Sequence, residues 1–133
     1  MDRNDLTYAI RGAAFAVHSA LGPGLMESAY EVCMIHELRK RGFSVRSQVI
    51  LPILYDGVTL NAGYRVDLIV GDEIIVELKA VEKLQAVHTA QLLTYLKLAR
   101  KPIGLLMNFH VKNMQHGIHR YILERALREG HSK

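Results

Sequence analysis

Three charged residues interrupt the apolar runs between Tyr64 and Ala80, and their types suit chemistry on a charged substrate. Asp67 lies in the first run, and Glu77 and Lys79 lie in the second. Both runs are rich in β-branched residues and flank a Gly-Asp turn, which predicts a β-hairpin. Burying a charge is costly unless the charge is paired or binds a metal, so the face that carries these side chains matters.

The apolar pattern predicts the register of this hairpin. A three-residue loop at 71–73 pairs Val70 with Ile74 and places Asp67 opposite Glu77. Because strand side chains alternate, one face then carries residues suited to a core: Tyr64, Val66, Leu68, Val70, Ile74, Val76, Leu78 and Ala80. The other face carries Arg65, Asp67, Ile69, Ile75, Glu77 and Lys79. A two-residue loop would separate the carboxylates, so we expect a loop of odd length.

Two directly opposed carboxylates repel one another when both are ionised. At least one of Asp67 and Glu77 is therefore expected to have a raised pKa in the ion-free protein. A cation between them would remove the repulsion, and oxygen ligands suit Mg²⁺ or Mn²⁺. The hairpin thus indicates a site for a divalent metal ion.

Size and composition fit one globular domain covering residues 1–133, with 50% hydrophobic and 23% charged residues. The longest apolar runs fall short of the roughly 20 residues of a membrane span, and the polar N-terminus does not resemble a signal peptide. We therefore expect a cytoplasmic protein without a membrane partner. The lone Cys33 excludes an internal disulfide and a Cys-rich zinc site. A net charge of +4 is compatible with phosphate-bearing partners, but many unrelated proteins share it.

Hydrophobic periodicity predicts the elements around the hairpin. Before it, we expect a helix over 6–21 capped by Asn4 or Asp5, a helix over 26–41, extended structure over 43–55, and a tight turn at 56–57 with a short return strand. After it, we expect a helix over 82–100, a strand over 103–109, a loop over 111–116, a strand over 118–123 and a short basic tail.

The helix after the hairpin carries a polar stripe. His88, Gln91 and Tyr95 are spaced i, i+3, i+7 and share one face. This stripe could lean over the charged face of the hairpin, where Gln91 and Tyr95 could hydrogen-bond a carboxylate, a phosphate or a base. Alternatively, His88 is solvated, and Gln91 and Tyr95 tie neighbouring loops to the core.

These residues resemble a family. Asp67 followed by Glu77-Leu78-Lys79 is similar to the Asp…(Asp/Glu)-x-Lys core of the PD-(D/E)XK nuclease superfamily, with Val66 in place of the motif's Pro. The segment 91–95 resembles the Gln-x-x-x-Tyr motif of its RecB-type branch. From about Leu6 to Ile122 the chain resembles the GxxExxY family more closely, through the segments 24–30, 76–80 and 104–109.

The resemblance implies an α/β fold with a restriction-endonuclease-like core. Its mixed central sheet would be flanked by two N-terminal helices and one later helix, with β-hairpins and one or two further strands. It also implies a metal-dependent nuclease that uses Mg²⁺ or Mn²⁺ to hydrolyse phosphodiester bonds, with DNA as the first candidate substrate and RNA as the second. The cation assists attack by water and neutralises charge on the phosphate.

Under this resemblance, Asp67 and Glu77 bind the ion together with the backbone carbonyl of Leu78. Lys79 orients or deprotonates the attacking water, or stabilises the developing charge. Glu27 reaches the site from the second helix as a further ligand or through a water molecule.

Substrate contacts follow from the same resemblance. Gln91 and Tyr95 position the substrate or Lys79, and Gln91 is also counted among the catalytic residues. Arg65 is a candidate phosphate contact, and Tyr30 is assigned to substrate binding, although a tyrosine at such a position is more often part of the core.

Alternatives remain at this stage. Glu77 and Lys79 could form an ion pair on a solvated sheet face, and Glu27 could serve only the helix dipole. The chain could also be a catalytically silent binding module on the nuclease fold, or a small-molecule phosphoesterase. The sequence has no basic run or aromatic platform that explains how a nucleic acid is held, and a homodimer could supply the missing surface.

Overall fold

A computed structural model describes residues 1–123 of the chain. It contains helices α1 (Arg3–Leu21), α2 (Glu27–Lys40) and α3 (Ala86–Ala99), strands β1 (Val45–Ile50), β2 (Ile53–Tyr55), β3 (Val58–Leu60), β4 (Arg65–Val70), β5 (Ile74–Lys79), β6 (Ile103–Asn108) and β7 (Ile118–Ile122), and a 3-10 turn at Met114–His116. This α/β architecture is the one expected from the sequence. The predicted basic tail lies in 124–133, outside the described residues.

Five strands form a mixed sheet in the order β1-β4-β5-β6-β7, and β2 and β3 form a separate small sheet. β5 and β6 are parallel, and α3 connects them, as a parallel crossover requires. The other neighbouring pairs in the large sheet are antiparallel. The hairpin β4–β5 therefore occupies the second and third positions of the sheet, where both faces can be covered.

Helices cover both faces of the sheet. α1 and α2 pack on one face, over a cluster that includes Leu68, Val76 and Leu105. α3 packs on the other, where Leu92 and Leu96 contact Ile75 and its neighbours. A Cβ at Gly104 would lie 2.8 Å from a methyl of Leu92, so glycine allows α3 to approach β6 closely.

The predicted hairpin register is confirmed. Val70 pairs with Ile74 across a three-residue loop, and Leu68 pairs with Val76. One part of the expected face pattern is wrong, because Val66 belongs to the cluster under α3, whereas Leu68 belongs to the opposite cluster. The alternation of faces is therefore interrupted between these two residues, at Asp67.

Two helix starts differ from the expected ones. α1 begins at Arg3, because the side chain of Asp2 accepts a hydrogen bond from the N–H of Asp5 at 2.8 Å and caps the helix. α3 begins at Ala86, four residues later than expected. There the Nδ1 atom of His88 accepts the N–H of Gln85 at 2.9 Å, so the polar ring of His88 serves the helix start. Within residues 1–123, no helix has the length and apolar character needed to span a membrane.

Candidate active site

The β4–β5 ladder stops where the two carboxyl groups meet. The last regular pair is Leu68 with Val76, and the same register brings Asp67 opposite Glu77. There the N–H of Asp67 donates a long hydrogen bond of 3.4 Å to Oε2 of Glu77, and the N–H of Leu78 donates to Oδ2 of Asp67 at 2.8 Å. Carboxyl oxygens thus replace backbone carbonyls as acceptors, and the strands separate at this end of the hairpin.

Glu77 is buried within this opening and has 5% relative exposure. The pKa of its carboxyl is raised from 4.5 to about 9. Burial is the largest cause, and the side-chain hydrogen bond and negative charge of Asp67 act in the same direction, while the backbone N–H of Asp67 and the positive charge of Lys79 oppose the rise. Desolvation is therefore a larger cause than the repulsion anticipated from the sequence. At neutral pH Glu77 holds a proton beside the Asp67 carboxyl.

The start of α2 adds two more carboxylates. Glu27 is the first residue of α2 and Glu31 lies one turn later, and both line a cavity of about 240 Å³ with Asp67, Ser28, Gln48 and Leu78. Burial raises the pKa of Glu31, and the charges of Asp67 and Glu27 add to this effect, whereas a hydrogen bond from Gln48 opposes it. The Asp67–Glu77 pair and the acidic start of α2 therefore form one site.

Glu31 and Gln48 are site residues that the sequence reasoning missed. The Nε2 atom of Gln48 lies 2.6 Å from a Glu31 oxygen and 3.5 Å from an Asp67 oxygen, so it links the helix to the hairpin. Glu31 follows Glu27 by four residues, and this helical spacing was a usable signal. Gln48 offered none, because its position depends on a φ of +51° in the middle of β1, which only the folded strand reveals.

The site has an excess of negative charge. Within the described 123 residues, no Lys, Arg or His nitrogen forms an ion pair with Glu27, Glu31, Asp67 or Glu77. The same part of the chain holds no group of three or more His, Cys, Asp or Glu side chains placed to bind an ion by themselves. The available donors are oxygens, which suit Mg²⁺ or Mn²⁺ better than softer metals.

Tyr95 of α3 approaches the carboxyl pair from the other side. It is buried, and desolvation followed by the charges of Glu77 and Asp67 raises the pKa of its hydroxyl. Its ring meets that of Tyr64 edge to face, with centroids 6.3 Å apart. Gln91, one turn earlier, is exposed. Both Gln91 and Tyr95 line a second cavity of about 440 Å³ beside the site.

Lys79 and Arg65 differ in their positions. Lys79 is partly buried at the end of β5, and its carbonyl accepts the N–H of Phe109 at 2.9 Å, which fixes its backbone. Arg65 is exposed at the start of β4. Among residues 1–123, neither side chain takes part in an ion pair or a hydrogen bond with the acidic residues.

Asn108 holds the chain segment that follows Lys79. It is 3% exposed and lies beside Lys79 in the parallel β5–β6 pair. Its amide nitrogen donates to the carbonyl of Val81 at 2.8 Å, and its amide oxygen accepts the N–H groups of Val81 and His110 at 3.1 and 3.2 Å. Sequence reasoning missed this residue, because a buried asparagine in an apolar run does not reveal its partners.

Tyr30 lies in the core, not at the site surface. Its side chain is fully buried and stacks on Phe109, with centroids 4.5 Å apart. Its hydroxyl donates to the carbonyl of Gly22 at 2.6 Å and accepts the N–H of Leu25 at 3.1 Å. This placement does not suit the expected substrate contact, because both the ring and the hydroxyl are occupied in holding the α1–α2 loop.

The mixed sheet flanked by helices, with two carboxyls at an opened hairpin, defines a restriction-endonuclease-like α/β fold. The sequence of residues 4–121 matches the family model of the PD-(D/E)XK nuclease superfamily. The chain therefore belongs to the PD-(D/E)XK nuclease superfamily. Searches of curated proteins and of solved structures give no significant match.

Proposed function

We propose that this chain is a nuclease that depends on Mg²⁺ or Mn²⁺ and hydrolyses phosphodiester bonds in DNA, with RNA as the second candidate substrate. The observation that carries the proposal is the contact between Asp67 and Glu77 at the point where β4 and β5 separate. Two carboxyls at the end of an opened hairpin, with further acidic residues across a cavity, form a site that favours a cation and can approach a phosphodiester once the cation is bound.

Asp67 and Glu77 would hold the ion, with the carbonyl of Leu78 and water completing its oxygen shell, because the described side chains offer no complete ligand set. Glu27 would contribute from the start of α2, directly or through water. When bound, the ion supplies charge neutralisation and activation of water. To bind it, Glu77 must release the proton that its raised pKa retains, so binding should release protons at neutral pH.

Other residues act on the substrate. Lys79 follows Glu77 by two positions in the same strand, and its ammonium would orient the attacking water or stabilise charge on the phosphate. Tyr95, near both carboxyls, and Gln91 would position the substrate strand, and Arg65 at the exposed start of β4 would contact a phosphate.

We further propose that the chain is one domain of the GxxExxY group within the RecB-like branch. Support comes from Glu27 at the start of its helix and from Gln91 and Tyr95, which line one cavity along α3. A second copy of the chain could extend the binding surface, because the described acidic site has no basic platform around it.

Incubation of the pure protein with labelled single-stranded, duplex and branched DNA, and with RNA, tests the proposal. We expect fragments with Mn²⁺, and none with a chelator or with Lys79→Ala. Fragments from RNA alone would show that RNA, and not DNA, is the substrate. Binding to nucleic acid without cleavage under all conditions would instead support the silent binding module.

A further inference from the structure

The second cavity lies beside the acidic site and differs from it in chemistry. About 440 Å³ of space lies between α3 and the start of the hairpin, within the size range of small-molecule sites. Its lining is apolar and aromatic, with Ile53, Tyr64, Val87, Tyr95 and Leu98 as the main residues, and it contains no charged side chain. The lining offers no charged group to pair with a phosphate or a cation, and its aromatic rings suit a neutral, flat occupant.

Two features of the lining suit a nucleobase. Tyr64 is 42% exposed, so its ring can offer a stacking surface, and base–aromatic stacking is tolerant of sequence. Gln91 is exposed at the rim, and its amide carries both donors and an acceptor that form no hydrogen bond within residues 1–123. Such an amide can pair with the edge of a base.

The cavity adjoins the acidic site, so its occupant would belong to the nucleic-acid strand that is cut. Tyr95 lines the cavity and belongs to the same buried cluster as Val66, the residue that precedes Asp67 in β4. One side chain therefore borders both places. An occupant of the cavity would lie next to a phosphodiester held at the carboxyl pair.

We propose that this cavity binds one unpaired base next to the scissile phosphodiester, so that the chain acts on single-stranded nucleic acid or on an unpaired nucleotide. The inference rests on the proposed nuclease function. In a duplex the base faces are covered by stacking, and taking a base out of the stack costs a few kcal/mol. The cavity therefore favours strands whose bases are already free.

Equilibrium binding without cleavage tests the proposal. Fluorescence anisotropy with Lys79→Ala as the background measures affinity for a labelled single strand, for its duplex, and for the same strand with abasic positions. We expect the single strand to bind at least ten times more tightly than either of the others. Adding Tyr64→Ala should weaken single-strand binding roughly five- to 140-fold, the range for loss of one stacked base, whereas Tyr64→Phe should retain it.

Two further variants sharpen the assignment. Val87→Glu would place a carboxylate at the cavity rim and should also weaken single-strand binding, although an acid in the first turn of α3 suits the helix. Tyr55→Ala is the matched control, because Tyr55 is 70% exposed on the small sheet outside the cavity, and it should bind as the parent does. Circular dichroism verifies that each variant is folded.

The outcomes separate this inference from the proposed function. Equal affinity for duplex and single strand, or unchanged affinity in Tyr64→Ala and Val87→Glu, would overturn the base site, even if wild type still cuts DNA with Mn²⁺. Absence of both binding and cleavage in wild type would overturn the proposed function and this inference together. Cavity variants that lower affinity for abasic and normal strands equally would show that the cavity does not hold a base.

Discussion

The buried carboxyl of Glu77 gives a stability prediction with a definite sign. Its pKa rises from 4.5 to about 9 on folding, so between these pH values the folded chain keeps a proton that the unfolded chain has released. The corresponding stability is fully present below about pH 4.5 and is lost as the pH rises towards 9. The loss is about 1.4 kcal/mol per pH unit for one group, so wild type should lose roughly 2–3 kcal/mol between pH 5 and pH 7.

Glu77→Gln removes this dependence, because glutamine keeps the shape and cannot ionise. In the ion-free protein the variant should exceed wild type in unfolding free energy by roughly 1 kcal/mol at pH 5 and by roughly 3 kcal/mol at pH 7. For a chain of 133 residues the larger gap corresponds to a Tm difference on the order of 10 °C. The negative charge of Asp67 remains in both proteins, so the comparison isolates the proton on Glu77.

Thermal melts followed by circular dichroism in chelator, at pH 5, 6, 7 and 8, measure the gap. Glu82→Gln is the control, because Glu82 is exposed and forms no ion pair within residues 1–123, and its melts should match wild type at each pH. A gap of equal size at pH 5 and pH 7, or no gap at either, would refute the reasoning, since Glu77 would then not hold a proton that folding makes hard to lose.

Three further outcomes are expected. Mn²⁺ at about 100 times its Kd should stabilise wild type by roughly 2.7 kcal/mol and raise its Tm in thermal melts. Glu77→Gln should lose most of this Tm shift. An equal shift in both proteins would show that the ion binds elsewhere. Lys79→Ala should keep the Mn²⁺-induced Tm shift but lose hydrolysis in a cleavage assay. Lys83→Ala is the control, because Lys83 is exposed, and it should keep both the shift and the hydrolysis. Cleavage by Lys79→Ala would show that Lys79 does not act on the water or the phosphate. Asn108→Ala should lower the unfolding free energy in urea by roughly 2–3 kcal/mol, because it leaves both backbone groups of Val81 without partners; a loss below about 1 kcal/mol would contradict this.

The hairpin and its register could be read from the sequence. Alternating apolar residues in β4 and β5 and a turn between them are local signals, and a shift of one residue would have moved the apolar set off its face. The register with Val70 opposite Ile74 therefore already required Asp67 and Glu77 to oppose one another. The start of α2 was accessible for the same reason, since Glu27 lies in the first turn of a periodic helix.

Tertiary packing decided the surroundings of that pair. Gln48 contacts Glu31 and Asp67 because β1 pairs with β4 and because Gln48 itself has a positive φ within β1. Local periodicity predicts neither the strand pairing nor this backbone conformation. The late start of α3, by contrast, has a local cause, because the ring of His88 accepts the N–H of Gln85 and caps the helix there.

Burial had a similar long-range origin. Repulsion between the carboxyls could be anticipated, but the larger cause of the raised pKa of Glu77 is desolvation between helices on both faces of the sheet. Tyr30 became a core residue because Phe109, distant in sequence, supplies the ring on which it stacks. The sequence by itself determined which carboxyls meet, since the strand pairing follows from local alternation. Only the tertiary structure decided how strongly these carboxyls are desolvated, since their burial depends on helices and strands from distant parts of the chain.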